Sequence, residues 1–416
     1  MRHHAFTGDV TREELLQCYR AARARTRALF DLITPDAYYG RPVPLRNPLV
    51  FYEGHLPGFA VNTLVKLALK KRGVDERLET LFARGIDPED EAAVPAINAW
   101  PARDEVQAFA NACDALVEEA LQNATLEDDR VPELRGGEAA FTILEHELMH
   151  QETLLYLLHE LPYEKKNRAS AGLLTNGSTA SGTASVHRES ITIAAGAATL
   201  GNDGTFGWDN EFPRHRVEVD EFTIDAHNVT NGEYLEYMQA TGARAPHFFE
   251  RHEGEWCFRG MFERKPLLPD APVYVTHDEA AAYARWKGKR LPTEAEFHRA
   301  AYSRPDGGEE LHASPRGNLD FQHLEPVRIG QYEPSAWGVY DLVGNGWEWT
   351  STIFDGFDGF EPMPSYALYS ADFFDGAHYV MKGASPVTAR ELVRPSFRNW
   401  FRPNYPYVYA TFRCVG

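Results

Sequence analysis

The sequence predicts an α+β protein in two parts, a helical N-terminal region followed by a mixed helix-and-strand region. Three observations lead there. The first 162 residues repeat apolar positions at helical spacing, the composition shifts after Pro162 toward glycine, proline and aromatics, and 416 residues exceed one compact domain.

The helices come first. "TREELLQCYRAARARTRALFDLI" opens with Thr11 and Glu14 at capping-box spacing and continues through Leu15, Tyr19, Ala22, Thr26, Leu29 and Ile33. "AVNTLVKLALKKR", after "FYEGHLPGF", gives a second helix. "DEVQAFANACDALVEEALQNA" gives a third through Val106, Phe109, Cys113, Leu116 and Ala120, and "EHELMHQETLLYLLHELP" a fourth. Four amphipathic helices predict a four-helix bundle, whose interior can hold a metal on facing helices. Residues 1–165 are therefore assigned to the bundle and 166–186 to a flexible linker, since "NRASAGLLTNGSTASGTAS" is rich in Ala, Gly, Ser and Thr. Residues 187–416 form the second domain, with short strands such as "HRVEVDEFTID" and helices at "TNGEYLEYMQATG", "THDEAAAYARWKG" and "TEAEFHRAAY".

Charge and cysteine usage narrow the function. With 42 Lys+Arg against 61 Asp+Glu the net charge is −19, which opposes binding to nucleic acid or an anionic membrane. No apolar run has the length of a signal peptide or a membrane span, so a soluble, cytoplasmic chain is expected. Four dispersed cysteines without C-x-x-C spacing read as reduced thiols.

His146 and His150 lie four apart, hence on one helix face, and two imidazoles so placed can share a metal ion. Glu152 lies about 200° round the helix from His150, so it suits an orienting role rather than ligation. His55, at the start of another helix, is the best third donor; His159 sits too far along the axis. Three neutral imidazoles suit Zn(II) and Fe(II) alike.

Four later segments, "DNEFPRHRVEVDEFTIDAHNVTNGEYLEYM", "GKRLPTEAEFHRAAY", "GVYDLVGNGWEWTSTIF" and "SFRNWFRP…ATFRCV", resemble the formylglycine-generating-enzyme type of C-type-lectin-like fold. In such a fold Trp347, Glu348, Trp349 and Arg290 build structure. Joined to a bundle carrying His55, His146 and His150, the chain resembles the sulfoxide synthases of ergothioneine biosynthesis and their selenoneine synthase relatives, and stands closest to the latter. That resemblance implies Fe(II) held by His55, His146 and His150. It also implies an O2-dependent reaction that joins a sulfur or selenium donor to the imidazole of hercynine, the trimethylammonium form of histidine. Three protein ligands leave about three positions open on an octahedral ion.

A quaternary ammonium is met by aromatic faces. The resemblance places Asn399 and Trp400 at the hercynine-binding segment, with Arg398 and Gln151 beside the substrates, and Phe51 closing the aromatic wall from the bundle. A tyrosine after "WEWT" is implied as proton or hydrogen donor, Tyr366 first and Tyr369 second. The pattern departs from γ-glutamylcysteine users: the bundle stretch with Asp87, Glu89, Asp90 and Glu91 is acidic, and Phe401 replaces an Asp. These departures leave a neutral or zwitterionic donor; the resemblance to the selenoneine branch implies a selenosugar, stacked on Phe401, with cysteine or γ-glutamylcysteine as alternatives. Rival readings are a zinc-dependent thiol transferase, a formylglycine generator (with only Cys257 and Cys414 in that domain) and a lectin-like binding module. The chain is expected to be a monomer or a homodimer.

Overall fold

The computed structural model describes residues 1–6, 8–83, 100–173, 190–202, 204–310 and 316–416. These fall into two compact units. One comprises Met1–Leu174 with Gly204–Phe206 and Met363–Ala367; the other comprises Thr175–Asp203, Gly207–Pro362 and Leu368–Gly416.

The first unit is helical. Helix α1 (Arg12–Phe30) starts at a capping box in which Thr11 accepts from the Glu14 backbone and Glu14 reaches back. Helix α2 (Leu49–Ala60) continues as a π-helix (Val61–Ala68), and α3 (Glu76–Phe82) is short and capped by Asp75. Helices α4 (Arg103–Asn123) and α5 (Glu138–Glu160) complete the set. Among the described residues the unit has five α-helices, α1 to α5, so the expected count of four is not confirmed.

The second helix departs from expectation. It begins at Leu49 rather than near residue 60, so His55 lies in its middle and not at its start. Gly54, Pro57 and Gly58 look like helix breakers locally, yet α2 is buried along nearly its whole length, and packing outweighs propensity. A Cβ on Gly54 would stand 2.4 Å from the Phe82 ring, so glycine is what lets α3 approach. Proline 57 removes one backbone donor, and the helix then widens to the π spacing, with the Leu69 N–H reaching the Leu64 carbonyl.

Buried charge fixes how α5 is turned. Arg23 on α1, 4% exposed, donates to Asp114 of α4 at 2.7 Å and to Glu147 of α5 at 2.8 Å, and Tyr19 also donates to Asp114. Breaking one arm leaves an uncompensated buried charge.

Among the described residues the second unit carries four small sheets. Strands β1 (Ser190–Ile193) and β4 (Phe222–Asp225) pair antiparallel, as do β2 (Gly196–Leu200) and β3 (His215–Val219). Strands β5 (Phe249–His252), β6 (Glu255–Arg259) and β7 (Arg264–Pro266) form a meander. The fourth sheet has the order β10 (Asn399–Phe401), β9 (Tyr379–Ala384), β8 (Gly346–Ile353), β11 (Ala410–Thr411), antiparallel except for β8 with β11. Helices α6 (Asn231–Thr241), α7 (His277–Trp286) and α8 (Glu294–Tyr302) each begin with a Thr-x-x-Glu capping box at Thr230, Thr276 and Thr293. Ile193, Phe222, Ile224, Phe297, Val339, Leu342 and Val415 pack one core.

The expected structural residues hold this unit together. Glu348 takes a two-pronged ion pair from Arg413 at 2.7 and 2.6 Å, both fully buried. The Trp349 indole donates to the Val275 carbonyl, and Arg290 clasps Glu296. None of the four cysteines forms a disulfide among the described residues. Of the expected linker, Arg168–Leu173 forms a 3-10 helix and residues 174–186 lie outside the described residues, as does the acidic stretch with Asp87, Glu89, Asp90 and Glu91. Among the described residues no helix is long and apolar enough to cross a membrane.

Replacing Arg23 by Ala is expected to destabilise the helical unit by about 3–5 kcal/mol, read as a lowered urea midpoint in far-UV circular dichroism. An unchanged midpoint would contradict the role given to this network.

Candidate metal centre

Helices α2 and α5 bring three imidazoles together. His146 and His150 share a face of α5 by their four-residue spacing, and His55 meets them from the middle of α2. One donor atom from each lies within 4.8 Å of the other two, and all three residues are buried. The ring centroids are 5.2 Å apart for His55 and His146, 5.1 Å for His55 and His150, and 4.4 Å for His146 and His150. Metal–imidazole bonds of about 2.1 Å put each centroid roughly 3.2 Å from a shared ion, and hence centroids roughly 4.5–5.2 Å apart at right-angled to tetrahedral geometry. The observed triangle spans that range.

The nitrogens are in the state a metal needs. Burial lowers the His55 pKa to about 4, against a smaller opposing effect of its bond to Phe82. It drives His146 and His150 well below the usual histidine range, reinforced by the neighbouring imidazoles and, at His150, by the Arg46 guanidinium. Neutral imidazole has one lone pair to offer. His55 Nδ1 donates to the Phe82 carbonyl at 2.7 Å, which leaves the lone pair on Nε2, a buried atom without a hydrogen-bond partner among the described residues. His150 Nδ1 is likewise buried and unpartnered. An unmet buried acceptor costs about 1–3 kcal/mol, so two of them beside one another suit a cation that takes their lone pairs. The donor set fits Fe(II) or Zn(II), with further positions left open.

Other side chains of α5 are committed away from this face. The His3 imidazole donates to Glu145 at 2.8 Å, Glu147 accepts from Arg23, and Glu152 takes the Tyr156 hydroxyl one turn on. Glu152 is thereby tied within its own helix. Gln151, expected beside the substrates, is corrected by the structure. Its amide donates to the Ala22 carbonyl at 2.8 Å and the Thr26 hydroxyl at 3.1 Å, because a step of about 100° from His150 turns it onto α1.

Aromatic rings line the centre. Phe51 is fully buried, its ring stacked on His55 at 4.7 Å and backed by Phe82 and Trp100. It is thus a wall of the centre, behind a ligand. Phe59 stacks on His146 at 3.5 Å and 10°, and Tyr366 meets Phe59 edge-on at 5.2 Å and His146 at 6.2 Å. Tyr52 lies 5.8 Å from His150. Sequence reasoning missed Phe59, Tyr52, Arg46 and the Phe82 carbonyl; Gly54 beside His55 was the available signal of a close backbone approach.

The remaining expected site residues belong to the second unit. Trp400 stacks on Phe354 at 4.1 Å, with Tyr369 at 5.3 Å and Phe373 at 5.5 Å, and Tyr369 also stacks on Trp208 at 4.0 Å. Asn399 turns its carbonyl onto the Trp400 backbone, and Phe401 stacks on Tyr405 at 4.8 Å. Arg398 is spent on structure: it donates to the Asn210 and Asp355 carbonyls and pairs with Glu294 at 3.2 Å, 3% exposed, and is corrected accordingly from a substrate contact.

Comparison with known proteins places these two units. Residues 177–416 match the sulfatase-modifying factor enzyme 1-like domain, and residues 19–154 match the DinB superfamily. The hercynine oxygenase of Mycolicibacterium thermoresistibile is 31% identical over 97% of this chain and 94% of its own. The ergothioneine biosynthesis protein 1 of Schizosaccharomyces pombe is 29% identical over 92% of this chain, which spans about half (53%) of that longer protein. A hercynine oxygenase of Mycobacterium tuberculosis is 36% identical over 49% of this chain and 55% of its own.

Replacement of His55, His146 or His150 by Ala is expected to remove stoichiometric metal, measured by elemental analysis after anaerobic purification. Full metal content in all three variants would refute the centre. Gly54→Ala, which pushes Phe82 and its carbonyl away from His55, is expected to weaken metal binding by roughly 10–100-fold, measured by competition with a chromogenic chelator.

Proposed function

This chain belongs to the hercynine oxygenase family, and from that premise we propose that it is a non-heme Fe(II) enzyme that uses O2 to join a chalcogen donor to the imidazole of hercynine. The observation that carries the reading is the triangle of three neutral, buried imidazoles, found in the part of the chain that aligns with hercynine oxygenases along nearly its full length. O2 chemistry at a three-imidazole metal centre needs a redox-active ion, and zinc has no redox chemistry, which favours iron over the zinc transferase reading. Fe(II), when bound, supplies the one-electron chemistry that allows ground-state O2 to react.

The chain's own residues bind, orient and protect. His55, His146 and His150 hold the ion. Phe51, Phe59 and Phe82 keep the centre apolar around the ligands, which shields reactive species from side reactions. Tyr366, whose ring packs on His146 and Phe59, is the proposed proton or hydrogen donor through its phenol. Tyr369 is the second choice, since its ring is stacked on Trp208 within the other unit. Asn399 and the aromatic cluster around Trp400 are proposed to take hercynine, the ring faces meeting its quaternary ammonium at about 0.5–2 kcal/mol per contact.

For the donor we propose a selenosugar, with the half-buried ring of Phe401 as a stacking surface and C–Se bond formation as the outcome. A second reading has one observation in its favour. Arg46 is buried and its charge acts on His150, which suits a donor bearing a carboxylate, such as cysteine or γ-glutamylcysteine.

Aerobic incubation of the iron-loaded protein with hercynine and, in parallel, a selenosugar, cysteine and γ-glutamylcysteine separates these readings by mass spectrometry of products. Oxygen uptake is expected only when hercynine and a donor are both present; uptake with neither, or none at all, would sink the proposal. In Tyr366→Phe, coupled product is expected to fall by roughly 10²-fold or more while hercynine still binds.

A further inference from the structure

On α5 the residues Glu138, Thr142, His146 and His150 recur every four positions, so each lies beside the next along the helix while the series drifts round it by about 40° per step. The last two are the metal ligands proposed above. The first two hold another part of the chain. Of residues 207–416, only Met363–Ala367 group with the helical unit. That short segment is fastened at Ser365. Its backbone N–H donates to Glu138 Oε1 at 2.8 Å, and its hydroxyl shares a 3.0 Å hydrogen bond with the Thr142 hydroxyl, 223 residues away in sequence. Ser365 and Thr142 are both buried, and Met363 is buried beside them. The next residue is Tyr366, whose ring lies edge-on to Phe59 and His146.

We propose that Glu138 and Thr142 are positioning residues that dock Ser365 and so fix the Tyr366 ring against His146 and Phe59. The inference rests on the reading of the site given above and deepens it. Its logic is the ladder on α5. The clamp residues lie one and two helical turns before His146 on the same rigid helix, so the helix that holds a metal ligand also sets the place of the tyrosine. One rigid element serves both, and the ligand-to-tyrosine distance becomes a property of α5 instead of the loop. Serine suits the task because it offers a hydroxyl beside its own backbone N–H, matching two polar groups one turn apart. The Phe59 ring, flat on His146, supplies the surface that Tyr366 meets.

The test pairs a clamp-breaking double variant, Glu138→Ala with Thr142→Val, with a conservative one, Glu138→Gln with Thr142→Ser. The first readout needs neither metal nor substrate. Full-length metal-free protein labelled with 3-fluorotyrosine is studied by fluorine NMR, and the resonance missing from Tyr366→Phe reports on Tyr366 among the 19 tyrosines. It is expected to move toward the free-tyrosine position in the clamp-breaking variant and to stay in place in the conservative one. The second readout is product formed per O2 consumed by the iron-loaded protein. That ratio is expected to fall roughly tenfold in the clamp-breaking variant, with metal content and the KM for hercynine unchanged, and to recover in the conservative one. In the Tyr366→Phe background, breaking the clamp is expected to add nothing. An unmoved Tyr366 resonance, or an unchanged product ratio, would overturn the proposal. If the unmodified protein shows no hercynine-dependent O2 uptake, the functional reading fails by itself and the resonance alone decides the clamp.

Discussion

Three buried imidazoles, two of which, His55 and His150, hold a buried nitrogen without a hydrogen-bond partner among the described residues, are the constraint that organises the helical unit. Burial pushes all three pKa values down, and the neighbouring imidazoles add to this at His146 and His150, so at neutral pH the rings are uncharged. Such an arrangement is costly in an apolar interior and becomes favourable once a cation takes the lone pairs. The surrounding features follow from keeping it in register. Gly54 admits Phe82, the Phe82 carbonyl takes the His55 Nδ1 proton, and Nε2 is thereby left for the ion. That relay from a missing Cβ to a tautomer is an outer-shell contribution made by backbone.

A second layer of polar contacts decides which way α5 faces. Arg23, Asp114, Glu147 and Gln151 tie the side of α5 away from the centre to α1 and α4, and Glu145 is occupied by His3. An amphipathic helix packed only by leucines could rotate by a fraction of a turn at small cost. One whose Glu147 meets a buried guanidinium, Arg23 of α1, that Asp114 of α4 also holds is pinned in rotation, with His146 and His150 toward His55. Buried ion pairs are poor sources of stability and good sources of registration, and this network has the second use.

Legibility followed the range of the interaction. The His146–His150 pair and the capping boxes at Thr11, Thr230, Thr276 and Thr293 were readable because they depend on residues three or four apart. The helical character of the first part and the fold of the second were readable from periodicity and ordered motifs, and the family matches agree with both. The start of α2 was not, because Gly54, Pro57 and Gly58 carry breaker propensities that only contact with Phe82 and Phe109 overrides. Gln151 was assigned to the substrates although its angle from His150 already turned it elsewhere. Arg398 looked available in a motif and is buried, donating to the Asn210 and Asp355 carbonyls and ion-paired with Glu294. Phe59 on His146 and the return of residues 363–367 to the helical unit arise from tertiary packing, for which local sequence carries no signal.

The account stands on a single ion held by three imidazoles from two helices. X-ray absorption spectroscopy of the anaerobically iron-loaded protein addresses that directly, since imidazole rings give a characteristic outer-shell scattering pattern. The account predicts a ferrous ion with about three imidazole ligands, the pattern diminishing by one ring in His55→Gln. A spectrum fitted without imidazole, or one unaltered by that substitution, would contradict it.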